Sequence, residues 1–261
     1  MARRRGSARA RIRRGGHSED HADDDDGDSV SDTQQTQELV RGPLVLLAGG
    51  TSAAGRAAAR ALLDAGARVV IVGSDAARLA DAVRDAPGAL GERCDLTDED
   101  AVSALRERVH AAHGRVDGVL HLVGGWRGGG GLAGQSDEDF AFLLRSLTAL
   151  RVVSRAFDED LRASPAGRLA IVSSTAVARP LAGGANYAAI KAASEAWTRA
   201  VAQGFAKNAR DADRAISGAA VIFRVKSLEG LEEALAAAFV ALWDDTADAF
   251  NDVVIEVGAG A

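Results

Sequence analysis

A chain of 261 residues, 47% apolar and with a formal net charge of −6, is long enough for one α/β domain of roughly 220 residues plus an appendage. The acidic balance argues against nucleic acid as the main partner, and no apolar run approaches the ~18 residues that a membrane span needs. A single cysteine, Cys94, excludes an internal disulfide, offers no metal-ligand cluster and suits a reducing cytoplasm.

From Met1 to about Gln37 almost nothing is apolar. Arg3, Arg4, Arg5, Arg9, Arg11, Arg13 and Arg14 precede an acidic run containing Asp23 to Asp26. Such a segment cannot bury enough surface to offset its ordering entropy, so residues 1–40 read as a disordered tail. No hydrophobic region follows the adjacent arginines, as an export signal would require. Residues 41–261 read as one domain.

Within that domain, "PLVLLAGG" (Pro43 to Gly50) is a short apolar run ended by glycines, which predicts a buried strand. Ala54 to Ala65 is a helix stopped by Gly66. "ARVVIVG" (Ala67 to Gly73) is a second strand, and Asp75 to Ala86 a helix closed by Pro87. A short strand at Leu90 to Cys94 precedes a helix from Asp98 to about Ala112, and Val116 to Gly125 is a fourth strand. One long helix is expected over Ser136 to Ala163, then a strand at Gly167 to Ser174 and a helix from Asn186 to about Asn208. A strand at Gly218 to Val225, a helix from Leu228 to Trp243 and a strand at Asp252 to Val257 complete the series. Seven nearly continuous apolar strands separated by helices predict a doubly wound parallel sheet with helices on both faces. Ligands on such sheets bind at the carboxyl ends of the strands.

The motifs fall there. "AGGTSAAGRAAA" (Ala48 to Ala59) joins the first strand to the first helix. Its small residues let backbone amides and a positive helix N-terminus approach a pyrophosphate. The only tyrosine, Tyr187, stands four residues before Lys191, one of three lysines, on one face of a predicted helix. An ammonium there favours the phenolate and is expected to lower the tyrosine pKa from about 10. Ser174 lies thirteen residues upstream, at a strand end.

Together these residues resemble the short-chain dehydrogenase/reductase family, over about Leu44 to Val257. The resemblance implies a Rossmann-type fold and an NAD(P)-dependent oxidoreductase working on a carbonyl or secondary alcohol. It makes Tyr187 the general acid/base, Lys191 the ribose ligand and Ser174 the group that polarises the carbonyl. Gly49, Thr51, Ser52, Ala53, Ala54 and Gly55 correspond to the phosphate turn, with Ala53 replacing the family's middle glycine. Asp95, followed by Leu96 in "CDLTD", corresponds to the aspartate that meets the adenine amino group; Asp98 or Thr97 is then free to cap the next helix. The second strand ends "VGSD", with Gly73 where NAD-preferring members carry aspartate, so Ser74 favours NADP over NAD.

Three departures stand out. His121, Leu122, Val123 and Gly124 replace the family's Asn-Asn-Ala-Gly. Val123 and Gly124 keep backbone contacts to the cofactor, and His121 is either catalytic or a structural hydrogen-bonder. Ser146 takes the place of the helix asparagine that holds a water on the proton path. After the sixth strand, "FRVKSLEGLEEAL" lacks the Pro-Gly and the longer loop that covers the substrate. In compensation the loop Gly124 to Gln135 carries six glycines between Gly124 and Gly131. Trp126 and Arg127 are its main side chains, reading either as the nicotinamide-side wall with an anion contact or as part of a surface loop. A homodimer or homotetramer is expected through the two long helices, and no metal. A catalytically weak dinucleotide sensor or scaffold is the rival reading.

Overall fold

The computed structural model describes residues 42–258; the Arg-rich and Asp-rich tail lies outside them. Seven strands, β1 (Leu44–Ala48), β2 (Arg68–Gly73), β3 (Leu90–Arg93), β4 (Gly118–His121), β5 (Gly167–Ser174), β6 (Gly218–Val225) and β7 (Val254–Glu256), form one sheet in the order β3-β2-β1-β4-β5-β6-β7. Every pairing is parallel. The winding reverses between β1 and β4, which opens a crevice at their carboxyl ends.

β1 explains the unbroken apolar strands. Val45 and Leu47 point into one core and Leu44, Leu46 and Ala48 into the other, all fully buried. The first core is closed by α1 (Ala53–Asp64), α2 (Ala76–Asp85) and α7 (Glu232–Val240). The second is closed by α3 (Glu99–His113), α4 (Asp137–Ala156), α5 (Asp158–Ala163) and α6 (Ala185–Asp211). A strand covered on both faces has no polar side, so the alternation disappears.

The boundaries differ most from expectation in four places. The long helix expected over 136–163 breaks at Phe157 into α4 and α5, with Phe157 fully buried at φ −105° and ψ 7°. The break turns α5 so that buried Asp160 accepts from the Val116 amide (3.1 Å) and meets His110 Nε2 (2.6 Å). β4 ends at His121, four residues early, because the chain leaves the sheet toward the crevice. The last long helix begins at Glu232 and ends in a 3-10 turn over Ala241–Trp243. A short helix, α8 (Ala247–Phe250), was not expected.

Arg168, on β5 and only 2% exposed, ties the C-terminal part to the sheet. Its guanidinium donates to the carbonyls of Leu242 (2.7 Å), Gly167 (3.0 Å), Ser217 (3.1 Å) and Asp245 (3.0 Å). A buried charge persists when its donors are met in this way.

Candidate active site

The turn after β1 is held by the amides of Gly49 and Gly50, both donating to the Val72 carbonyl (3.0 and 3.1 Å). Gly49 has φ +78°, and a Cβ there would come within 2.9 Å of the Val123 amide. A Cβ on Gly55 would overlap the Gly50 carbonyl, so glycine lets α1 seat against the turn. Ser52 caps α1 by accepting from the Gly55 amide (3.1 Å), and the first turn, which includes Ala53 and Ala54, carries no acid. The positive end of the helix is therefore unopposed.

In front of this turn lies a cavity of about 410 Å³, lined among others by Gly49, Thr51, Ser52, Ser74, Asp95 and Leu96. A second, of about 920 Å³, shares Ser52, Val123 and Gly124 with it and runs on past Ser174, Tyr187 and Lys191. The two form one continuous trough across the strand ends. Ala53, Ala54, Gly55 and Arg127 do not line it. The first three form the start of α1 behind the turn.

At the β2 end, a Cβ on Gly73 would stand 2.5 Å from the Thr51 methyl. The threonine occupies the place an acid would need. Asp75 is spent on capping α2, accepting from the Arg78 amide (2.9 Å), while Ser74 and Arg78 line the cavity. Arg56 pairs with Asp85 (3.4 Å). Asp98 caps α3, with bonds from the Asp100 and Ala101 amides (3.0 and 3.1 Å). Asp95 accepts from the Thr97 amide (3.0 Å) and hydroxyl (2.7 Å) and lies 3.3 Å from Arg145. The amide bond, the hydroxyl bond and Arg145 together hold its carboxyl below the usual range, against the effect of burial.

On the other side, Ser174 closes β5, and Tyr187 and Lys191 stand one turn apart on α6. Lys191 Nζ donates to the Val172 carbonyl (2.7 Å), lies 5.7 Å from the Tyr187 ring centre, and would be 3.7 Å from a methyl on Gly124. Burial lowers its pKa to about 8, with Glu195 opposing. The expected fall in the Tyr187 pKa is not what the structure gives. Burial raises it, and the Ser174 hydroxyl acts in the opposite direction. Burial of the phenol is the larger effect, and Lys191, bonded to the Val172 carbonyl, does not offset it.

Ser146 is buried, and its hydroxyl donates to the Leu143 carbonyl (2.7 Å). Its own carbonyl accepts from His121 Nε2 (3.1 Å). Burial, followed by the nearby Lys191 charge, pushes the His121 pKa down to about 3, so the ring is neutral. With the proton on Nε2, His121 is a hydrogen-bonder in the floor of the site.

The glycine-rich loop is pinned. Gln135 Nε2 donates to the carbonyls of Gly129 (3.1 Å), Gly131 (3.2 Å) and Gly183 (3.1 Å), and its Oε1 accepts from the Asn186 amide (3.1 Å). One side chain thus fastens the loop to the start of α6, one residue before Tyr187. Sequence reasoning missed Gln135, and its only signal was its place at the end of the glycine run, before the α4 cap Ser136. Trp126 faces the larger cavity and is 63% exposed. Arg127 does not reach the trough: it pairs with Asp139 (3.7 Å) and stacks 4.3 Å from the Phe142 ring centre.

A family model described as short chain dehydrogenase matches residues 43–209. The chain belongs to the short-chain dehydrogenase family. Among known members it is similar to the 3beta-hydroxysteroid dehydrogenase of Mediterraneibacter gnavus, 31% identical over 168 residues, 62% of this chain and 60% of that protein. It is also similar to the cis-4-hydroxycyclohexanecarboxylate dehydrogenase of Sinomonas cyclohexanicum, 42% identical over 84 residues, 31% and 34% of the two chains. An uncharacterised oxidoreductase of Mycobacterium tuberculosis is 32% identical over 94 residues, 33% of this chain and 28% of that protein. The matched stretches thus span less than two thirds of these relatives. Among solved structures, a metagenomic short-chain oxidoreductase in complex with NADP superposes with a TM-score of 0.71 at 25% identity, covering 83% of this chain and 97% of that one. As a short-chain dehydrogenase the chain has an oxidoreductase ancestry, and among its described residues no helix is long and apolar enough to cross a membrane.

The trough fits the family's dinucleotide: the glycine turn excludes side chains from one end, the α1 terminus carries no competing carboxylate, and Lys191 rises beside Gly124 at the other.

Proposed function

We propose that the chain is an NAD(P)-dependent oxidoreductase that interconverts a carbonyl and a secondary alcohol. The observation carrying this reading is that Ser174, Tyr187 and Lys191 line a cavity continuous with the one in front of the glycine turn. When bound, the dinucleotide supplies two electrons and one hydrogen to the carbonyl carbon, or takes them back. The chain's own residues handle the rest. Tyr187, kept protonated by burial, gives its proton to the carbonyl oxygen as the carbon–oxygen π bond opens. Ser174 donates a hydrogen bond to the same oxygen, and Lys191 holds the ribose through its ammonium.

In this reading Gly49, Thr51, Ser52 and the amides of Ala53, Ala54 and Gly55 hold the pyrophosphate, Asp95 and Leu96 the adenine, and Val123 and Gly124 the nicotinamide half. Ser74 and Arg78 favour NADP, because Thr51 bars an acid from position 73. The bound NADP of the metagenomic relative supports that preference. A homodimer through α4 and α6 belongs to the same reading: Phe140 (39% exposed) and Leu144 (38%) lie one turn apart on α4. Light scattering on the purified chain tests it, a monomer refuting it.

The deciding experiment is a fluorescence titration with NADPH and NADH beside a carbonyl-reductase assay of wild type and Tyr187→Phe. NADPH binding with turnover that falls at least a hundredfold in the variant is expected. Binding with equal turnover in both proteins refutes Tyr187 as the acid; binding without turnover of a broad carbonyl panel favours the sensor or scaffold.

A further inference from the structure

The larger cavity has a charge pattern that the reaction itself does not require. Among the described residues no Asp or Glu lines it, although the chain as a whole is acidic. Three cations do: Lys191 in the floor, Arg179 in the segment after β5, and Lys226 directly after β6. Other cations around the strand ends are matched: Arg127 with Asp139, Arg145 with Asp95, and Lys191 with the Val172 carbonyl. Arg179 and Lys226 meet no carboxylate within 4.0 Å among the described residues.

Their place in the sheet separates them from the phosphate turn. That turn follows β1, and β5 and β6 are the second and third strands away from it. At about 4.8 Å per strand, their ends lie roughly 10 and 14 Å from it. The same cavity is lined by the apolar Val225, Leu228, Leu181 and Trp126. Leu181 is 74% exposed and Trp126 63%, large side chains left uncovered at the mouth of a cavity of about 920 Å³. Apolar surface of that kind marks a binding site.

We propose that the substrate is an amphipathic carbonyl compound, or the matching secondary alcohol, that carries an acidic group. Its anion sits between Arg179 and Lys226, its apolar body lies against Leu181, Leu228 and Trp126, and its carbonyl reaches Ser174 and Tyr187. The anion contact that the sequence suggested for Arg127 passes to these two cations. The proposal rests on the oxidoreductase reading for the redox step but not for the anion preference.

The test uses the full chain and two probes, 4-acetylbenzoate and its uncharged methyl ester. Calorimetric titration into NADP-saturated protein, repeated without NADP, reads the preference whether or not turnover occurs. The acid is expected to bind at least tenfold more tightly than the ester, with the ratio falling about threefold in each of Arg179→Gln and Lys226→Gln and vanishing in the double variant. Equal affinities, no binding of the acid, or a preference that survives the double variant overturns the proposal. A parallel loss of NADPH affinity in the two variants assigns the cations to the cofactor and overturns it as well. Anion preference without reduction of either probe or of a broad panel of acidic ketones counts against the redox reading alone.

Discussion

Glu195, on α6 one turn beyond Lys191 and 4% exposed, is the sharpest place to test the energetics. Its Oε1 accepts from Ser173 Oγ (2.7 Å) and Arg224 Nε (2.8 Å), and its Oε2 from Arg224 Nη2 (2.6 Å). Glu195→Gln keeps the shape but replaces one oxygen by an NH₂ group, which sets a donor against either Arg224 or Ser173. Breaking a buried ion pair by removing one charge costs about 3–5 kcal/mol. The Arg224 side chain keeps 19% exposure and so recovers some hydration, which brings the expectation to about 2–4 kcal/mol. At about 2–4 °C per kcal/mol for a domain of this size, the melting temperature should fall by roughly 4–16 °C.

The pH dependence gives a second reading. Burial raises the Glu195 pKa, but the bonds from Arg224 and Ser173 and the Arg224 charge outweigh it and leave it lowered from 4.5. A depressed folded-state value means the contribution is fully present above the unfolded pKa and fades as pH falls through the folded one. The wild-type advantage over Glu195→Gln should therefore shrink below about pH 4.5. A double variant, Glu195→Leu with Arg224→Met, should recover much of the loss, since a packed apolar pair often matches a buried ion pair. Differential scanning calorimetry from pH 4 to 8 measures all three proteins. A melting shift under 2 °C for Glu195→Gln at pH 7 would refute the reasoning.

Lys191→Met should bind NADPH at least tenfold more weakly at pH 7, and the wild type alone should lose affinity as pH rises through about 8, where the lysine discharges. The same variant should be more stable than wild type at pH 7: the folded-state pKa lies below the unfolded 10.5, so wild-type stability rises with pH between the two and the variant's advantage fades over that window. Gly73→Asp should lose NADPH binding and about 1–3 kcal/mol of stability through collision with Thr51, while Gly73→Asp with Thr51→Gly should regain stability and bind NADH, as titration and urea unfolding would report. Gly55→Ala should displace the glycine turn and weaken both dinucleotides together by tenfold or more, without altering their ratio.

The sheet and the candidate site at its strand ends were legible because their signals are local. Leu44 to Ala48 and Gly218 to Val225 are apolar without alternation, and only a strand covered on both faces calls for that. Ser174, Tyr187 and Lys191 were readable from spacing along one strand and one helix. What could not be read depends on contacts between segments far apart in the chain. The Lys191 ammonium bonds the Val172 carbonyl, nineteen residues away, and burial of the phenol by its packed surroundings raises the tyrosine pKa where a fall was expected. Gln135 acts on Gly183 and Asn186, about fifty residues away, and Arg127 is captured by Asp139. The helix break at Phe157 serves Asp160, whose partners His110 and Val116 lie on other elements. Propensity has no access to such partners.

The four carbonyls that satisfy Arg168 also impose an order on synthesis. Two of them, Leu242 and Asp245, leave the ribosome more than seventy residues after the arginine does. Until then the middle of the sheet would have to enclose a guanidinium with half its acceptors missing. A nascent chain cut at residue 240 already carries Ser174, Tyr187 and Lys191 but is expected to remain protease-sensitive. Extending it past residue 245 supplies the acceptors, so the turn after α7 acts as a closing step of folding, while the candidate site stands at the opposite end of β5.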